Sequence, residues 1–253
     1  MSKLTLKNRL QIFTGEVVRN INSKVLFLTA KFKSQRIKAN NKTAIVFSPH
    51  QDDESLGCGG MIAIKRSLGV SVKVVFLTDG RYGRPDWIEP EDIIQFRQKE
   101  AETALNILGV EQSDTYFLGE PDGSLSQLSE SQRYDLISRL SKILKSSRPE
   151  EVYVPHNQDG HPDHEATFDL VLAAIAHSGL ETELFQYPIW VFWQNPLNSK
   201  LHRENLTNAH RVSIAAVKKQ KKQAIESYKS QLRYLPYGVL ASSLNSEEIF
   251  FKK

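Results

Sequence analysis

From residue 43 the chain alternates short apolar runs with longer helical patterns, and this alternation is the strongest constraint on its fold. Residues Ala44–Ser48, Val72–Thr78, 115–118 and Glu151–Pro155 read as strands, the second of them strongly β-branched. Between them, 56–68, 90–108, 129–146 and 162–177 carry helical patterns. The 90–108 segment has acids in its first turn and Gly109 as its stop. Glu120-Pro121-Asp122-Gly123 reads as a turn. Strands that alternate with helices build a mostly parallel, Rossmann-like sheet with helices on both faces, so the expected class is α/β. Beyond Leu180 the pattern is mixed. Residues 184–187, 190–193 and 211–214 read as strands, 215–231 as one lysine-rich helix, and 249–251 as a last strand or a tail. No repeat or linker calls for a second domain, and 253 residues suffice to bury one core. The expected organisation is a basic N-terminal segment, 1–42, followed by a single domain, 43–253.

Charge sets the N-terminal segment apart. Residues 1–42 hold ten Lys/Arg against the single acid Glu16, a net of +9, so the remainder of a chain of net +4 carries −5. Leu6, Leu10, Phe13, Val17, Ile21 and Val25 recur at three- and four-residue steps, one face of a helix over 6–28. Such a stripe either packs on its own domain, the commoner use, or lies on an anionic membrane surface. No apolar run approaches the roughly 18 residues of a membrane span, and the start lacks the apolar core and cleavage site of a secretory signal. The basic residues are dispersed and no reading module accompanies them, which argues against nucleic acid as a partner. The single cysteine, Cys58, excludes an internal disulfide framework and a cysteine-rich zinc site. The expected location is cytoplasmic, with peripheral membrane contact through residues 1–42 left open. Composition does not address the oligomeric state.

Two runs carry the chemistry. Pro49-His50-Gln51-Asp52-Asp53-Glu54 directly follows the first strand, and His161-Pro162-Asp163-His164 follows the strand Glu151–Pro155. Groups at the carboxyl ends of parallel strands converge on one crevice. Adjacent carboxylates repel, and a cation beside Asp52 and Asp53 relieves that cost. His50 and Asp53 are three apart, so a tight turn aims both at one ion and leaves Asp52 free to take a proton from water. His161 and His164 share one side of a helix start. Asp163 between them is placed to accept the remaining ring N–H of a ligating histidine. A solvated loop and a helix cap, with Asp159 or Gly160 as cap, are the plain alternatives; capping explains Pro162 but not two flanking histidines. Gly57-Cys58-Gly59-Gly60 lacks the Lys-Ser/Thr of a phosphate loop and reads as close strand–helix packing. Trp87, Tyr187, Trp190, Phe192 and Trp193 suit either a sugar face or the core. His156 and Asn157, after their strand, are placed to line a pocket.

With Leu77-Thr78-Asp79-Gly80, the Arg97/Glu100 pair, Leu118-Gly119-Glu120-Pro121-Asp122-Gly123 and Tyr228-Lys229-Ser230-Gln231, these runs resemble the PIG-L/LmbE family of zinc-dependent N-deacetylases over about residues 42–231. The resemblance implies His50, Asp53 and His164 as zinc ligands and Asp52 as general base. It implies that His161 steadies the oxyanion or protonates the leaving amine. Arg97 aligns with a substrate-contacting arginine, and Asp79 and His156 are further candidates for substrate contact. Two positions depart from the family. The usual proline after the first histidine is Gln51, a change expected to matter little. A tyrosine that some members carry before the second run is Asp159.

The implied reaction removes acetyl from an N-acetylated amino sugar of GlcNAc type, small-molecule or lipid-linked, giving acetate and a free amine. Zinc would activate water and stabilise the oxyanion, with ferrous iron able to occupy the same donors. The competing readings are a carbohydrate-binding protein of this fold without turnover, and a membrane-associated scaffold motivated by residues 1–42 alone.

Overall fold

The computed structural model describes residues 6–194 and 208–253, with side chains from residue 14 onward. Helix α1 (Leu6–Lys33) and strand β1 (Gln35–Ile37) come first. The alternating part follows: β2 (Ala44–Ser48), α2 (Asp53–Ser67), β3 (Val72–Thr78), α3 (Ile93–Leu108), β4 (Thr115–Glu120), α4 (Glu130–Ser147), β5 (Glu151–Pro155), α5 (Pro162–Ser178) and β6 (Glu183–Tyr187). Then come β7 (Ala209–Ser213), α6 (Lys218–Glu226), α7 (Lys229–Leu232), α8 (Tyr237–Ser243) and β8 (Glu247–Lys252).

These strands form one eight-stranded sheet in the order β1-β7-β8-β6-β5-β2-β3-β4. Every neighbouring pair is parallel except the two that β8 makes. In β2, Ala44 and Val46 pack with Met61 and Ile62 of α2, Ala104 and Leu105 of α3 and Ile225 of α6. Its alternate residues, Ile45 and Phe47, pack with Leu140 of α4 and Val171 of α5. A strand covered on both faces must be apolar throughout, which is why the run has no polar alternation. From β2 the chain winds to β3 and β4 on one side, then crosses back to β5 and β6 on the other. The order therefore reverses between β2 and β5, and the crevice outside their carboxyl ends is the ligand position of such a sheet.

Two expected elements differ. Residues 190–193 are not a strand: Val191–Trp193 is a 3-10 turn. The Asp159 carboxylate accepts the backbone N–H groups of Ile189, Trp190 and Val191, donors that a strand would have given to a neighbour. Residues 215–231 divide into α6 and α7 at Ser227 and Tyr228. Tyr228 leaves the helical conformation with ψ at 60° and buries its ring, its hydroxyl donating to Glu54 at 2.5 Å. Of the two alternatives for 249–251 the strand holds, as part of β8, and β1 and α8 complete the fold without a clear pattern in the sequence.

Helix α1 packs on the domain through Phe27 and Ala30, which join Val191, Phe192, Ala209, Ile249 and Phe251 in a small core of their own. The carbonyl of Lys31 in its last turn and that of Ser34 just beyond it accept from the Arg211 guanidinium, a cation where the helix dipole favours one. Of the expected stripe, Val17, Ile21 and Val25 are exposed rather than packed; the side chains of Leu6, Leu10 and Phe13 lie outside the described residues.

Candidate metal centre and active site

The loop after β2 leaves the sheet through a strained residue. Asp52 has φ 143° and ψ −30°, a region that favours glycine. Neighbouring groups hold it there. The Thr78 hydroxyl and backbone N–H both donate to the Pro49 carbonyl. Gln51 Nε2 donates to the Thr78 carbonyl at 2.8 Å, and Arg97 donates to the Gln51 carbonyl at 2.7 Å. The Asp52 backbone N–H donates to Glu54 Oε2 at 3.1 Å. Gln51 is thus not idle: its buried side chain pins the loop to β3.

This turn starts α2 at Asp53 and brings the carboxylate to two imidazoles. Asp53 Oδ2 lies 3.2 Å from His50 Nδ1 and 3.2 Å from His164 Nε2. Ligands 2.0–2.2 Å from a tetrahedral ion stand about 3.3–3.6 Å apart, so these spacings approach the edges of such a site. His164 Nε2 is buried and makes no hydrogen bond, although a carboxylate oxygen is 3.2 Å away. An orphaned ring nitrogen at a shared vertex fits an ion better than it fits a proton. His50, His161 and His164 each offer a ring nitrogen within 4.8 Å of the others, and His50 forms a second such group with Asp122 and Asp163. Asp163 in that second group is committed elsewhere, accepting from the backbone N–H groups of Gly123 and Leu125. We therefore read His50 Nε2–H as donor to Asp122 at 3.1 Å and Asp163 at 3.3 Å, leaving Nδ1 for an ion.

Asp159 supplies what the family tyrosine would not. Its Oδ2 is 2.7 Å from His164 Nδ1, fixing the ring so that Nε2 faces Asp53. The cap of α5 is His161, whose Nδ1 accepts the Asp163 backbone N–H at 3.3 Å. A neutral ring that accepts at Nδ1 carries its proton on Nε2.

Charge and burial tune these groups in opposite directions. Burial, reinforced by the Asp53 charge, pushes Asp52 up to about 7. Burial also opposes ionisation of Asp53, but the neighbouring charge of His164, with the charge and hydrogen bond of His50, holds it well below the ordinary carboxylate range. His164 is raised to about 9: burial disfavours its charge, and Asp53 and Asp159 outweigh that. His161 is lowered to about 4 by burial and by the neighbouring His164 and His50. Burial raises Glu54 to about 7.

A cavity of about 380 Å³ opens over the cluster. His50, Asp52, Asp53, Arg97 and His161 line its floor, with Tyr82, Asp122, Ile189, Trp190, Gln231, Tyr234 and Leu235 among its walls. Arg97 is buried and spends its terminal nitrogens on the carbonyls of Gly80 and Gln51, with Asp52 Oδ1 at 3.7 Å. Asp79 and His156 do not line the cavity. Asp79 pairs with Arg81 and accepts the Asp122 N–H. His156 is buried against Phe251, its ring nitrogen accepting from the Gln158 backbone, and burial lowers it to about 4.

Among known proteins, residues 45–175, just over half of the chain, match the family PIG-L: GlcNAc-PI de-N-acetylase. The uncharacterized deacetylase YaiS of Escherichia coli (strain K12) is 28% identical over 193 residues, covering 72% of this chain and 93% of that protein. The 1D-myo-inositol 2-acetamido-2-deoxy-alpha-D-glucopyranoside deacetylase of Mycobacterium leprae (strain Br4923) is 31% identical over 163 residues, 55% of this chain and 53% of its own length. The chain thus spans about half the length of that second relative. The crystal structure of the conserved protein TT1542 from Thermus thermophilus superposes with a TM-score of 0.63 at 30% identity, over 83% of this chain and 94% of the other. With a single α/β domain, a polar cluster at the switch point and this family match, the chain belongs to the PIG-L family of deacetylases.

Proposed function

We propose that the protein is a zinc-dependent N-deacetylase that cleaves the acetamide of a GlcNAc-type conjugate. The observation that carries the reading is the meeting of His50 Nδ1, Asp53 Oδ2 and His164 Nε2 at 3.2 Å spacings beneath an open cavity, with Asp52 beside them. These three side chains would hold the ion, and ferrous iron suits the same donors. Zinc bound there lowers the pKa of water toward neutrality and draws charge from a carbonyl oxygen.

The remaining work falls to the chain. Asp52 takes a proton from the attacking water at Oδ1 or Oδ2 and passes it to the departing amine. His161 presents Nε2–H to the cavity and donates to the oxygen on which negative charge develops. Its depressed pKa favours this role over that of a cationic acid. Arg97 acts on Asp52 and the loop that carries it. Tyr82, Trp190 and Tyr234 offer aromatic surface to a sugar ring. The free, buried Cys58 fits a reducing compartment, and we place the enzyme in the cytoplasm.

The test is an acetate-release screen over free, nucleotide-linked and inositol-linked GlcNAc, comparing metal-stripped with zinc- and iron-loaded protein. Metal-dependent acetate from at least one conjugate is expected. Sugar binding without acetate, at full metal occupancy, would leave a carbohydrate-binding protein without turnover.

A further inference from the structure

Helix α1 carries two interleaved series at helical spacing. Ser23, Phe27, Ala30 and Ser34, at steps of four, three and four, are buried against the domain. Val17, Ile21, Val25, Leu28 and Phe32, at steps of four, four, three and four, are exposed, Ile21 by 61% and Phe32 by 85%. At about 100° per residue the two series fall on roughly opposite sides of the helix. Apolar residues scattered singly over a surface need no explanation, but five in one file along about 22 Å of helix make a patch.

Charge identifies what covers it. Lys24 is exposed beside the file, and Lys33, Arg36 and Lys38 are exposed at its end. The segment 1–42 carries +9, with Glu16 its only acid. Two copies joined through this face would bring two such segments together, and like charge opposes that pairing. An anionic bilayer meets both needs, taking the apolar file into its interface and the lysines at its phosphates. No described helix is long and apolar enough to cross a membrane, so the contact is peripheral.

We propose that α1 docks the protein on an anionic lipid surface through the file Val17–Ile21–Val25–Leu28–Phe32. The helix is tied to the cavity wall. Asn20 Oδ1 accepts from Trp193 Nε1 at 3.0 Å and from the Gly238 N–H at 3.1 Å. Trp193 meets the ring of Trp190, which lines the cavity. Docking therefore holds the cavity wall near the lipid surface and favours amphiphilic GlcNAc conjugates. That substrate consequence rests on the deacetylase reading; the docking itself does not.

The experiment is co-sedimentation of the full chain with phosphatidylglycerol-rich and with pure phosphatidylcholine vesicles, at low and high salt. The full chain should bind the anionic vesicles more strongly, with binding weakened by salt. The double variant Ile21→Ser/Phe32→Ser should lose about tenfold or more in partitioning, the effect of withdrawing two apolar side chains from the interface. Both positions face solvent, so circular dichroism and acetate release from a soluble conjugate should be unchanged. Full-length protein that stays in the supernatant with anionic vesicles overturns the proposal, and so does equal binding by the variant. A dimer seen by light scattering that the variant dissociates, without vesicle binding, assigns the face to a second copy instead. Vesicle binding by a protein inactive on every conjugate would sink the deacetylase reading and leave the docking intact.

Discussion

The carboxyl ends of β2 and β5 and the outward face of α1 break one rule in opposite directions. At the strand ends, Asp52, Asp53, Glu54, Asp159, Asp163 and His164 are buried, although such groups are seldom found inside. On α1, valine, isoleucine and phenylalanine side chains stand in solvent. The buried charges are tolerable because each faces a charged or hydrogen-bonding neighbour, and because His164 Nε2, which lacks a hydrogen bond, points where an ion would satisfy it. The exposed apolar file has no such compensation within the described chain. In both regions we propose that the departure marks where something from outside the chain binds: a metal in one, a lipid surface in the other.

The comparison can be broken at either end, and the largest effect is expected at the metal. His164→Ala should leave a folded protein with little bound zinc and no measurable acetate release, read by elemental analysis and assay together. Full occupancy in that variant would remove His164 from the ligand set. Next comes the inward face of α1. Phe27→Ala should cost about 3–5 kcal/mol in denaturant unfolding, since it opens a cavity among Phe192, Ile249 and Phe251.

His156 tests buried polarity away from the metal. Its pKa is about 4 in the fold, against an ordinary value of 6.5. Above 6.5 both folded and unfolded states hold it neutral. As pH falls from 6.5 toward 4 only the unfolded state takes the proton, so stability should decline by up to about 3 kcal/mol across that window. His156→Gln should flatten this slope, and an unchanged slope would assign it to other groups. Asp159→Asn should weaken zinc binding by about 10–100-fold in chelator competition, because the oriented His164 loses its charged partner. The smallest effect belongs to the outward face: Ile21→Ser should shift unfolding by no more than about 0.5 kcal/mol. A large loss there would mean that the exposed face is covered within the protein.

Much of the candidate site was legible because it is local. His50, Asp52 and Asp53 fall within one turn, His161 and His164 within another, and each run directly follows a recognisable strand. The same locality made β2, β3 and β5 readable. The partners that hold the site come from far along the chain. Tyr228 lies 174 positions from the Glu54 it supports, and Asp122 reaches His50 only because β4 ends beside β3. Asp159 reads as an ordinary pre-helical acid, and only folding brings it to His164 Nδ1 and to three N–H groups of the 189–191 backbone. Those bonds also undid the strand expected at 190–193. For α1, periodicity identified a helix with an apolar stripe but not its partner, because Phe27 and Ala30 pack inward between stripe positions. Asp79 stands in a run that carries the family resemblance and His156 follows a strand, yet their side chains turn toward Arg81 and Phe251 rather than the cavity.

The measurement closest to the central claim is acetate release from an accepted GlcNAc conjugate by Asp52→Asn and the parent protein at equal, verified zinc content. A positioned proton acceptor contributes on the order of a hundredfold or more, so the variant should bind zinc fully and turn over at about one hundredth of the parent rate or less. Near-parental turnover by zinc-loaded Asp52→Asn would contradict the assignment of this cluster as a metal centre served by its own general base.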